Sequence, residues 1–562
     1  MNLKIRSEQK RTLLYLLIVV GIALMALTGC LFDDNDDPVE NWPTPNPYLS
    51  SPLYGITHFD SSQSDSTPYG PPPGVFHVDP ATQPICYGGP INIMTLASVN
   101  EDYMWSVGTD HVAYVYKKSG AWESVAKVDA PAYTDPENQP NSPETLRAFG
   151  ELSAAGKTIA EMNEILTGYY GSKYASRVLN GMYSVVDRDD VLYANFGYGI
   201  YAFVLNDKEN PSSGIKILRK IEDARTIQGD QSVEDIKMWG LTLTYDGYLI
   251  VNFTNGVAVI DRELNIDSAD FYPFGTDEKV ANSLAVDENN GIYIASDKIM
   301  RKLVWTGTVI SDKESDGAWS SAYDAPEDAA APVIKFGLGT GSTPTLMGFG
   351  DDPDKLVVIT DGEKQMKLVA FWRDNIPEGF VQKSGTKSRR IADQIQVTCG
   401  ITSSSDWIQS EQSVVVSGYG AFVVNNIPAD VENSDLAMAG NNKLLTVSLM
   451  GPAYDTCFGM ERFQWDSSAD EWISVWSRPD VSSTSMVPIH SQNKGLAIVN
   501  GYTSQRGWEV TGLDWYTGRT VHQTIFGEQN FGNGAYAILE YLDNGDLLFN
   551  SISGPFRVHY GN

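Results

Sequence analysis

Leu241-Thr-Leu-Thr-Tyr-Asp-Gly-Tyr-Leu-Ile-Val-Asn252 is the stretch whose reading decides the fold. Two alternating apolar runs flank an Asp-Gly turn, and the second run closes on Asn. Ser283-Leu-Ala-Val-Asp-Glu-Asn-Asn-Gly-Ile-Tyr-Ile-Ala-Ser296 follows the same plan with a longer acidic turn. Period-two alternation broken by Asp, Asn and Gly is the pattern of antiparallel strands joined by tight turns. A third apolar run then follows a short polar turn, as in His111-Val-Ala-Tyr-Val-Tyr116 and Gly199-Ile-Tyr-Ala-Phe-Val204.

Working outward, the hairpin recurs eight times, its second strand closing at Ser106, Asn195, Asn252, Ser296, Thr360, Ser417, Asn500 and Asn550. One small sheet cannot bury both of its faces, so a recurring hairpin predicts sheets packed side by side around an axis. The expected fold is all-β: a β-propeller of about eight four-stranded blades, with a small helical insertion. Seven blades is the alternative, if the last hairpin completes the first blade. A chain of 562 residues would ordinarily divide into several domains, but the blades of a ring share one core.

The N-terminus reads as a leader. Lys4, Arg6, Lys10 and Arg11 precede an apolar stretch from Leu13 to Leu27, too short for a comfortable membrane span. Leu27-Thr28-Gly29-Cys30 then resembles the bacterial lipobox, which implies cleavage before Cys30 and acyl chains on that residue. Several acyl chains on one residue give stable membrane attachment. Leu31 and Phe32 follow, without Asp beside the cysteine, which resembles cargo for an outer membrane. The run Asp33-Asp34-Asn35-Asp36-Asp37 reads first as a solvated spacer and also resembles the surface-export tag of some lipoproteins. The expected organisation is a signal peptide over 1–29, a lipidated Pro- and Asp-rich tether over 30–74 and the propeller over 75–562.

The net charge of −31 repels nucleic acid and anionic headgroups, which excludes a nucleic-acid role. Three cysteines remain beyond Cys30. In an oxidising compartment Cys399 and Cys457, both assigned to the sixth repeat, are the expected disulfide, with Cys86 free. The absence of CxxC spacing argues against a structural zinc site.

In a propeller, loops leading into the innermost strands gather on one face with loops leaving the second strands. Residues at those places are Asn92, Asn180, Asn282, Thr343, Gln394, Ser485 and Asn533, and Asn195, Asn252, Asp361 and Asn500. The ligand-binding set drawn from them is Asn180, Asn195, Asn252, Asn282, Thr343, Asp361, Asn500 and Asn533. Amides and hydroxyls suit a polar neutral ligand such as a sugar or lactone, or calcium held through oxygen. They equally cap strand ends by satisfying exposed backbone groups. His58, two positions before Asp60, and His490, in an inner strand, are the imidazoles placed near the axis. No G-x-S-x-G elbow occurs, and no catalytic residue is assigned.

Between the first two repeats, Ser142-Pro143-Glu144 opens a helix, Gly156 interrupts it, and Thr158-Ile-Ala-Glu161 starts a second that ends near Gly168. The insertion, about 142–168, has an apolar side and reads as a lid, a docking element or a decoration on the ring's outside.

Gly512-Leu-Asp514-Trp-Tyr-Thr517-Gly518-Arg519-Thr-Val-His522 resembles the blade motif A-x-D-x-x-T-G-x-x-x-W of quinoprotein-like (PQQ-type) eight-bladed propellers. In that family Asp and Thr-Gly form a hairpin turn and the Trp docks on the next blade; here His522 stands in the Trp position. The family's catalytic members bind pyrroloquinoline quinone beside a vicinal disulfide, and this chain has no Cys-Cys pair. Asn282-Ser-Leu-Ala-Val-Asp287 is similar to repeats of gluconolactonase and strictosidine-synthase-type propellers, whose metal is held by acidic and Asn side chains.

Three functional readings follow. The first is a lipid-anchored binding or assembly module that presents the ring to an envelope protein or glycan. The second is a metal-dependent hydrolase or lactonase in the channel, with Asn282 and Asp361 as ligands and calcium as a possible metal. The third is a PQQ-type oxidoreductase. Cys30→Ser is expected to move the protein from the membrane to the soluble fraction; retention on membranes would show that Cys30 is not the anchor.

Overall fold

A computed structural model describes residues 41–51, 59–88, 94–131, 142–153, 158–229, 236–326, 334–402, 407–429, 431, 442–454 and 457–561. The leader, Cys30 and the acidic run lie outside them, as do Asn92 and His58. Residues 42–562 form one compact unit.

Eight sheets are present among the described residues, within 94–129, 185–221, 238–273, 285–322, 345–396, 415–477, 489–527 and 539–558. We number them blades 1 to 8. Within each, consecutive strands pair antiparallel, except that in blade 4 both Ile310–Ser311 and Trp319–Ala322 pair with Ile299–Trp305. Blade 8 has three strands of its own, and its outer partner comes from the other end of the chain. Ile85 bridges Phe556, Cys86 N–H donates to Pro555 O (3.0 Å) and Arg557 N–H to Pro84 O (3.1 Å). The last hairpin is therefore a separate blade, and the count is eight.

Local chemistry explains the hairpins. Asp287 Oδ1 accepts the N–H groups of Asn289 and Gly291 (2.9 and 2.8 Å), and its Oδ2 accepts the Tyr293 hydroxyl (2.6 Å). Asp187 holds the N–H groups of Asp189 and Val191 the same way (2.9 and 3.0 Å). An Asp that folds back on its own turn pre-forms the bend, and alternating strands can then bury both faces. Eight apolar clusters among the described residues follow the ring, each joining neighbouring blades.

The expected tether through residue 74 needs correction from Asn46 onward. Asn46 Nδ2 donates to Leu243 O in blade 3 (3.1 Å), Ser50 N–H to Val186 O in blade 2 (3.0 Å) and Ser50 Oγ to Ala97 O in blade 1 (2.7 Å). Farther along, Ser61, Ser62 and Ser64 carbonyls accept the N–H groups of Val286, Leu346 and Val416 in blades 4, 5 and 6 (2.8, 3.0 and 2.9 Å). Ser66–Thr67 then pairs parallel with the inner strand of blade 7, Ile489–Ser491. The segment thus meets the inner strands of blades 1 to 7 where they end, and fills that end of the channel. Innermost strands carry an open edge of N–H and C=O groups, and a short-side-chain Ser/Asp segment can reach them in a narrow axis. Gly74–His77 continues as an added outer strand of blade 7.

The sixth repeat is displaced by one strand from its expected register. Ser417 ends the inner strand Val415–Ser417, and the second strand is Gly420–Val424, followed by Asn425. Gln394 lies in the outer strand Ile391–Gln396 of blade 5. A long insertion, residues 425–459, separates the second and third strands and stretched the repeat past recognition. The Cys399–Cys457 disulfide is not formed. Both are free thiols, Cys399 packed between blades 5 and 6 and Cys457 in a different cluster on the upper face. Burial raises both thiols far above their ordinary range, which leaves them protonated.

Deleting residues 46–67 strips partners from inner-strand N–H groups, each worth about 1–3 kcal/mol when left buried and unpaired. A fall in Tm of several degrees is expected by calorimetry; an unchanged Tm would show the segment to be dispensable for the ring.

Candidate functional site

The upper face is the one on which inner strands begin. Helix α1, Pro143–Ser153, and helix α2, Ile159–Tyr170, come from the predicted insertion, and helix α3, Lys443–Leu449, from the insertion in blade 6. Thr158 and Glu161 form the expected capping box. The two insertions meet. Phe149, Met162, Leu166 and Tyr170 pack with Leu444, Leu445, Trp407 and Ile552 in one apolar cluster. Asn442 Nδ2 donates to the Tyr174 hydroxyl, which donates to Asn163 Oδ1 (both 2.7 Å). The helices therefore roof the upper face rather than decorate its rim.

Beneath them lies an axial cavity of about 40 Å³. The approach to every inner strand contributes to its wall: Met94, Tyr183, Trp239, Asn282, Phe336, Glu411, Val487 and Tyr536, taken from blades 1 to 8 in turn. Trp239 and Phe336 meet edge to face with centroids 5.6 Å apart, and Phe336 lies 5.4 Å from Tyr536. Asn282, Gln412 and Glu411 complete the lining.

Glu411 is 7% exposed. Its Oε1 accepts the Phe336 N–H (3.1 Å), whereas its Oε2 is buried and has no hydrogen-bond partner. Burial raises this carboxyl well above the usual glutamate range, against the pull of Lys335 and Lys443. Lys335 is itself buried and lowered to about 8, its Nζ donating to Gly339 O (2.9 Å) and Gln409 Oε1 (2.6 Å).

The sequence-derived residues take various places. Asn282 lines the cavity, its Oδ1 accepting the hydroxyls of Tyr183 (2.7 Å) and Thr343 (2.8 Å). Asn252 donates to the Asn282 carbonyl, Asn195 to Leu179 O and Asn180 to Thr109 O. Asn500 bridges Glu509 O and Gly532 O, and Asn533 ties Val447 O of α3 to the ring. Asp361 is buried and raised to about 6 by that burial, with Lys367 at 3.2 Å opposing the shift. Asn282 and Asp361 thus belong to separate networks, and no group of three or more His, Cys, Asp or Glu suited to a metal occurs among the described residues. His490 is buried against Trp515, centroids 4.4 Å apart, and lowered to about 3 by burial, so it stays neutral beside Ser66 Oγ (3.3 Å).

Glu411, Lys335 and the aromatic wall went unnoticed in the sequence. The available clue was Gln409-Ser-Glu411-Gln412 immediately before the apolar run Val414-Val-Val416, in the repeat whose register had slipped.

No family model matches this sequence. An uncharacterized protein of Archaeoglobus fulgidus is 31% identical over 334 residues, covering 57% of this chain; the match spans 60% of that relative's length. Among solved structures, a quinohemoprotein alcohol dehydrogenase from Pseudomonas putida HK5 is similar at 10% identity, covering 90% of this chain and 80% of that one, with a TM-score of 0.44. A europium-containing methanol dehydrogenase gives 10% identity, 89% of each chain and 0.44. The periplasmic gluconolactonase of Pseudomonas aeruginosa gives 9%, 79% and 86%, and 0.33. The propeller itself rests on the strand pairing.

Replacing Glu411 by Gln tests its burial. A carboxyl raised by folding stabilises below its unfolded value of 4.5, and that contribution is lost as pH rises through the folded value. Tm of the native protein is therefore expected to fall between about pH 5 and about pH 8, and Glu411→Gln to flatten part of that slope. Superimposable slopes would contradict a raised Glu411.

Proposed function

We propose that this protein is an envelope lipoprotein, anchored through acyl chains on Cys30, whose propeller is a binding module for a protein partner or a polar ligand. The observation that carries the reading is the closure of the axis from both ends by the chain itself. Residues 46–51 and 59–67 occupy one end and two helical insertions roof the other. What remains on the axis has the size of a small ligand, while the rim of the ring is left to a partner. A hydrolase or a quinone enzyme acting in the channel needs an open mouth for its substrate, and here the channel is built over.

The lipobox-like segment supports the anchor, and the acidic body favours partners that are neutral or positively charged. An outer membrane is the location proposed, with the ring held at its surface.

The experiment is cross-linking of the membrane-anchored protein in cells, followed by recovery under denaturing conditions. A discrete protein or glycan adduct is expected, together with no stoichiometric metal on the purified body. Tight stoichiometric calcium or zinc with lactone hydrolysis, and no adduct, would replace this reading with the metal-dependent hydrolase.

A further inference from the structure

The axial cavity joins aromatic walls to one orphaned polar atom, and this combination defines a ligand. Its 40 Å³ holds about three water-sized positions, and so a molecule of four or five non-hydrogen atoms. Trp239, Phe336 and Tyr536 supply flat apolar walls. Glu411 Oε2 supplies a buried polar terminus without a partner. Buried polar groups in folded proteins are almost always hydrogen-bonded, so an orphaned oxygen on a residue that lines a cavity points to what the cavity receives.

Charge narrows the class. Glu411 already lies in the fields of Lys335 and Lys443. A cationic ligand meets two like charges, and an anionic one must shed its hydration in a cavity walled by aromatic rings. An uncharged ligand meets neither penalty. The head group must also suit the carboxyl in either protonation state, accepting from it when neutral and donating to it when ionised.

We propose that this cavity binds a small neutral molecule whose head, a hydroxyl or primary amide, pairs with Glu411 Oε2 while a short hydrocarbon tail lies against Trp239 and Phe336. The inference rests on the binding-module reading and names the class of ligand for its axial site.

The test uses the full-length protein in nanodiscs and four probes with a common carbon skeleton: propan-1-ol, propionamide, propylammonium and propionate. Affinity is read by saturation-transfer NMR after prolonged equilibration. Propan-1-ol and propionamide are expected to bind and to compete with each other, and the two charged probes to bind about tenfold more weakly or worse. Glu411→Leu should weaken the neutral probes by about tenfold, and Glu411→Gln by no more than about threefold. Ala281→Leu narrows the same cavity from blade 4 and should abolish binding with Glu411 intact; it keeps the test valid if Glu411→Leu fails to fold. Equal or tighter binding of a charged probe, binding insensitive to both Glu411→Leu and Ala281→Leu, or no binding of any probe overturns the proposal. If a cross-linked partner is nevertheless recovered, the binding-module reading survives and only the axial ligand falls.

Discussion

Every blade of a propeller presents an inner edge that no neighbouring blade can pair. Faces are covered by adjacent blades, but the innermost strand still carries a row of N–H and C=O groups directed at the axis. In this chain that row is met by its own residues 46–51 and 59–67, which donate to or accept from successive inner strands. The sequence of that stretch suits the task. Ser61-Ser-Gln-Ser-Asp-Ser-Thr67 has small polar side chains that fit a narrow axis, and Asp60 braces its turn by accepting from Ser62 and Ser64.

Closing one end of the axis changes what the other end can be. The upper face is not an open bowl ringed by amides but a roofed chamber with a narrow interior. Most of the ring amides direct their hydrogen bonds to backbone carbonyls of adjoining strands and of α3, where they lock blade to blade and roof to ring. Glu411 differs because one of its oxygens has no such partner. Burying a carboxyl costs free energy unless its hydrogen bonds are made, so the group sits where folding alone leaves it unsatisfied.

The Asp514 motif shows how far a local pattern carries. Thr517 donates to Asp514 through both its N–H (2.8 Å) and its hydroxyl (2.6 Å), and Gly518 takes the left-handed φ of +70° that the turn needs. His522, in the place of the motif's Trp, donates from Nδ1 to Pro72 O (2.7 Å), pairs through Nε2 with Thr524 Oγ1 (2.7 Å) and packs edge-on to Tyr560 of the last blade's end. The turn was readable from four residues. The partner of His522 was not, because Pro72 lies 450 positions away in the chain.

The sequence by itself determined the repeat and with it the architecture: period-two alternation and Asp-centred turns are local, and they dictate a hairpin wherever they occur. The helical insertion was equally legible, since capping at Thr158 involves only Glu161. Only the tertiary structure decided where non-local segments went. It brought residues 46–51 and 59–67 into the axis, drew helices α1, α2 and α3 together over the upper face, and left Cys399 and Cys457 in separate clusters as free thiols. The reason is physical: inner-edge pairing and axial convergence depend on ring closure, and no spacing along a chain encodes which residues a closed ring will bring face to face.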